Sequence, residues 1–157
     1  MEDLKIQGFR ISRNYGIALG VFLSAYFLVM RLVGLGHEYY LRVFNALILF
    51  MVIHQVITKY RKSMNHERYG SFIEHFKIAM RTAFIGIASF SVFLALYLDV
   101  IDPVFMQELR DMESASPFLS PVSAAGIVFI EGLGSSFVIS YMALQLLKKP
   151  TIEMKTA

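Results

Sequence analysis

The chain has 157 residues, a net charge of +3, a mean hydropathy of +0.56, 56% hydrophobic residues and only 17% charged ones. A soluble domain is nearer one quarter charged, and here the apolar residues gather into four blocks of about 20 residues or more, the length a helix needs to cross roughly 30 Å of hydrocarbon. Cysteine is absent, which excludes disulfides, thiolate metal sites and cysteine nucleophiles. The class is an all-α polytopic membrane protein, a four-transmembrane-helix bundle forming one domain over residues 1–157.

The first span is expected at about 15–35. Polar and mixed residues precede it without a small-x-small cleavage site, so it reads as a retained helix. It carries Gly16, Gly20 and Ser24 at i, i+4, i+8, with Tyr26 near its midplane. The second span is expected at about 40–58. Before the third span, at about 78–98, "GSFIEHF" carries a capping box, with Ser71 as N-cap and Glu74 three positions on. Helix three should therefore begin near Phe72, with Phe72 and Phe76 forming an apolar edge at headgroup level.

After span three, Asp102 suits an N-cap and Pro103 the first helical position, followed by Phe105, Leu109 and Met112 at i, i+4, i+7. This predicts a short amphipathic helix in the external loop between spans three and four. Its acids, Asp102, Glu108, Asp111 and Glu113, are read as a solvated polar face rather than a cation site. Ser120 and Pro121 cap and open the fourth span, about 122–147, and Pro150 stops the helix.

Lys and Arg set the orientation, because cytoplasmic loops retain positive charge. Twelve of them (Lys5, Arg10, Arg13, Lys59, Arg61, Lys62, Arg68, Lys77, Arg81, Lys148, Lys149, Lys155) lie on one side. Three (Arg31, Arg42, Arg110) lie on the other. Both termini are expected in the cytoplasm of a cell whose inner membrane holds the chain. The basic balance is then a matter of topology, and no nucleic-acid partner is implied. Tyr15, Tyr39, Tyr40, Tyr60 and Tyr97 fall near span ends, where a ring with a polar tip is best placed.

Small residues let membrane helices approach closely. The stripe Gly132, Ser136 and Ser140 in span four repeats the pattern of span one, which predicts contact between those two spans, within the chain or across a dimer. Glu131 interrupts an otherwise uncharged run from Val122 to Leu147, ten residues and about 15 Å from Pro121. An ionised side chain at midplane costs at least about 2.5–3.5 kcal/mol. Glu131 points about 140° from the small-residue stripe at 100° per residue and shares its face with Ser135. Candidate partners are Tyr26, Ser24, Ser89 and Ser91; the candidate polar site is Glu131, Tyr26 and Ser135. Three readings stand: a proton- or cation-binding carboxylate in a transport pathway, a protonated or hydrogen-bonded residue that fixes helix packing, and a contact with a separate membrane subunit.

No nucleophile elbow, phosphate-cradling loop or H-E-x-x-H is present. The four histidines, His37, His54, His66 and His75, are too dispersed for a metal site. No cofactor and no catalytic residue is indicated. The segments "YGSFIEHFKIAMRTAFIGI", "YLDVIDPVFMQELRDME" and the closing "ALQLLKKP" resemble a family of small four-span bacterial inner-membrane proteins classed as a domain of unknown function. The resemblance implies four helices and an inner membrane, and brings no catalytic residue with it. The expected role is a non-catalytic accessory or scaffold subunit, partnered by lipid and by a second copy or a larger membrane protein. The alternative is a small homo-oligomeric proton- or cation-coupled transporter using Glu131.

Overall fold

A computed structural model describes residues 2–34, 42–63, 71–112 and 119–147. Tyr39, Tyr40, His37, His66, Arg68, Glu113, Pro150 and the tail lysines 148, 149 and 155 lie outside the described residues, as do the side chains of Lys5, Arg42 and Met112. The helices are α1 (Glu2–Leu32), α2 (Arg42–Ser63), α3 (Phe72–Leu96), α4 (Pro103–Met112) and α5 (Pro121–Leu146). All but α4 are long and apolar enough to cross a membrane, so the protein is an all-helical, multi-pass membrane protein.

Local sequence explains the helix ends. Ser71 Oγ accepts from the N–H of Ile73 at 3.2 Å, starting α3 where the capping pattern places it, although one position earlier than a capping box does. At α5, Ser120 Oγ accepts from Ser123 N–H at 3.1 Å while Ser123 Oγ accepts from Ser120 N–H at 2.8 Å. Pro121 fills the first helical position, where a missing N–H costs nothing. At its far end α3 widens into a π-helical turn, Tyr97–Ile101, closed by Asp102 N–H donating to Tyr97 C=O at 2.9 Å. A residue before proline is pushed out of the helical region; Asp102, at φ −135° and ψ 70°, ends the helix there.

The central helix is α3. Helices α1 and α5 pack on its two flanks, and α2 closes the bundle behind all three. The core joins Leu19 and Leu23 of α1 to Val52, Ile53, Val56 and Ile57 of α2, with Ala79, Ala83 and Ile87 of α3 and Ala143 and Leu144 of α5. A second cluster seals one end: Leu94, Tyr97, Leu98, Phe105, Met106 and Leu119, with the Phe27 ring edge-on to Tyr97 at 5.2 Å.

One expectation changes within the chain, and α4 forms where expected. Within the chain, spans one and four do not form the main small-residue contact; both pack on α3 instead. The apolar face of α4 is turned down onto the bundle, with Phe105 and Met106 buried and Leu109 half-buried.

Candidate functional site

The two seams on α3 rest on missing side chains. A Cβ added at Gly16 would stand 2.7 Å from Ile85 Cβ and 3.0 Å from the Thr82 carbonyl; one at Gly20 would stand 2.9 Å from Ser89 Cβ. Across the seam, a Cβ on Gly86 would overlap Leu19 at 2.6–2.8 Å. Glycine here permits backbone approach that no other residue allows. The Ser24 hydroxyl donates to Gly20 C=O at 2.8 Å, within its own helix. On the other flank, Gly132 faces Ile87, and Ser136 is fully buried, its hydroxyl donating to Leu133 C=O at 2.7 Å. Ser140 is also fully buried, and its Oγ finds no hydrogen-bond partner among the described residues.

Ring pairs fix the register of α5 against α3: Phe72 with Tyr141 at 6.1 Å, Phe76 with Phe137 at 5.2 Å, Phe84 with Phe129 at 5.8 Å. Phe72 and Phe76 thus also pack on a neighbouring helix, with Phe72 still exposed. Gly132 meets Ile87 and Phe129 meets Phe84, so Glu131 lies level with α3 residues 84–87. The uncharged stretch of α3 runs from Thr82 to Leu98, with its middle at Phe90. Glu131 is therefore on the Arg81 side of the middle, roughly 5–9 Å along the axis from Arg81.

Glu131 and Ser135, one turn apart, are both exposed on the outward side of α5. Gly134 is exposed beside them, and an added Cβ at Gly126 or Gly134 would meet nothing within 4 Å. Tyr26 is half-buried on α1, its ring 6.2 Å from that of Phe44 on α2. Because α1 extends from Glu2 to Leu32, Tyr26 lies toward the Arg31 end rather than at the centre of its helix. Of the other suggested partners, Ser89 donates to Ile85 C=O at 2.8 Å within α3, and Ser91 is buried.

The strongest polar constellation lies elsewhere. Arg31, at the end of α1, donates from Nε to Asp102 at 2.8 Å and from Nη1 to Glu108 at 3.3 Å, with its guanidinium 4.2 Å above the Phe105 ring. Asp102 also caps α4 by accepting from Phe105 N–H at 3.0 Å, and Tyr97 OH reaches it at 3.5 Å. The Arg31 hydrogen bond holds the Asp102 carboxyl below its ordinary value; burial opposes this, and the Phe105 N–H and the Arg31 charge reinforce it. Two acids assigned to a solvated face instead bind α4 to α1. Among the described residues, no group of three or more His, Asp or Glu side chains is close enough to hold a metal ion.

Residues 14–116 match the family described as protein of unknown function (DUF4199). Glu131 and the whole of α5 lie outside the matched residues. No curated protein and no solved structure matches the chain.

Proposed function

The chain belongs to the DUF4199 family of proteins of unknown function, and from that premise we propose that it is a non-catalytic accessory or scaffold subunit of the cell inner membrane. Both termini lie in the cytoplasm, and the chain associates through α5 with a second copy or a larger membrane protein. The observation that carries this reading is the outward face of α5, the span least enclosed by its own bundle. Small residues normally serve close helix contact. Gly132, Ser136 and Ser140 are used that way against α3, but Gly126, Gly134 and Ser135 point away from the bundle. A partner helix lying on that face makes use of the open space.

The test is Gly134→Leu. It fills open space, so helix content and monomer stability should stay unchanged while the co-purifying partner or oligomer is lost. Retained association would contradict the assignment of α5. A second reading, the homo-oligomeric proton- or cation-coupled transporter, is favoured by the acid within a span. Loss of uptake in Glu131→Gln, with fold and oligomer intact, would establish it over the scaffold reading.

A further inference from the structure

Charge divides α1 and α3 at matching levels. Residues 14–30 of α1 and 82–98 of α3 contain no Asp, Glu, Lys or Arg. Arg13 and Arg31 bound the first stretch, Arg81 and Asp99 the second, each about 27 Å apart along the helix axis. The two helices run parallel, and the pairing of Gly16 with Ile85 and Gly20 with Ser89 sets Arg13 level with Thr82, one residue from Arg81. The two stretches therefore coincide, and their length matches the hydrocarbon layer. Arg13 and Arg81 stand together at one edge of it.

They also share a side of the seam. The Arg81 guanidinium lies 5.5 Å over the Phe9 ring. Arg13 is one helical turn beyond Phe9 on α1, and Lys77 one turn before Arg81 on α3. All three cations are exposed, and none pairs with an acid within 4.0 Å among the described residues. The close approach of the glycine-lined helices thus places two guanidiniums and an ammonium within about one helical turn of one level, with no ion pair to an acid among the described residues. Beyond them along the two helices Ile17 and Val21 of α1 and Val92 of α3 are exposed apolar side chains.

We propose that this seam is a binding site for an anionic phospholipid. Its headgroup phosphate is held by Arg13, Arg81 and Lys77, and its acyl chains lie along the apolar surface beyond. The arginine fork matches a phosphate diester in shape and charge, and basic clusters between spans at a membrane surface suit anionic headgroups. A zwitterionic lipid offers the same phosphate but cancels its charge with a choline group.

The test follows thermal unfolding of the full chain in mild detergent as phosphatidylglycerol, phosphatidylcholine or inorganic phosphate is added. Phosphatidylglycerol should raise the midpoint several-fold more than phosphatidylcholine, and inorganic phosphate should leave it unmoved. Arg13→Gln/Arg81→Gln should lose most of that increment. Lys59→Gln/Lys62→Gln, which removes the same charge from α2, should keep it. Equal losses in the two double variants, equal responses to the two lipids, or a response to inorganic phosphate would each overturn the site. If the arginine pair is unstable without lipid, the single variant Lys77→Gln against Lys59→Gln makes the same comparison.

Discussion

Gly16→Ala adds one carbon at the tightest point of the α1–α3 seam. That carbon would stand 2.7 Å from Ile85 Cβ, 2.9 Å from Ile85 Cγ2 and 3.0 Å from the Thr82 carbonyl oxygen. Carbon atoms rest at about 3.5–4.0 Å, so α1 must withdraw by about 1 Å. No Ile85 rotamer relieves the contact, because one blocking atom is backbone and the nearest is a β-carbon fixed to it. Overpacking of this kind costs about 1–3 kcal/mol, while replacing glycine within a helix returns up to about 1 kcal/mol. The net expectation is a loss of about 1–2 kcal/mol. Gly134→Ala isolates the propensity term, since its added carbon meets nothing within 4 Å; it should be neutral or stabilised by up to about 1 kcal/mol. Helicity followed through a denaturing-detergent titration measures both. If Gly16→Ala proves as stable as Gly134→Ala, the close seam is wrong.

The clasp at the end of α1 gives a pH prediction. Asp102 is held below its ordinary value of 3.8 in the folded chain, so its stabilisation is fully present above about pH 4 and is lost as pH falls through the lower folded value. Asp102→Asn should therefore cost about 1.5–3 kcal/mol at neutral pH, and its midpoint should converge with wild type in strong acid; a gap that stays constant with pH would refute the clasp. Arg31→Met should loosen α4, read as faster hydrogen exchange at residues 104–111 with α5 unchanged; protection equal to wild type there would mean that Phe105 and Met106 hold α4 unaided. A reporter fused after Ala157 should be active only in its cytoplasmic form, and an externally active fusion would overturn the orientation.

Features set by neighbouring residues were legible in the sequence. Four apolar blocks gave four membrane-length helices, and Ser71, Asp102, Ser120 and Pro121 marked helix starts, because caps act over two or three positions. Which helices touch was not legible from the stripes on α1 and α5 alone. The small-residue row Ala79, Ala83 and Gly86 on α3 was the missing signal, since a central helix needs room for neighbours on more than one side. The Arg31–Asp102 pair joins residues 71 positions apart; the cap at Asp102 was visible, but no local pattern announces a partner so distant. The π-helical turn that precedes it left no mark either, because it ends the helix and no later turn follows to show the shift in register. Glu131 was found as a lone acid, yet its level along the bundle depends on the register of Phe84 with Phe129, a tertiary fact.

The central claim is association through α5, and it is tested most directly by purifying the tagged chain from its native membrane in mild detergent, with mass and composition determined together. The account predicts a stoichiometric second protein or a discrete homo-oligomer that Gly134→Leu disperses. A monomer carrying only lipid and detergent, in wild type and Gly134→Leu alike, would contradict it.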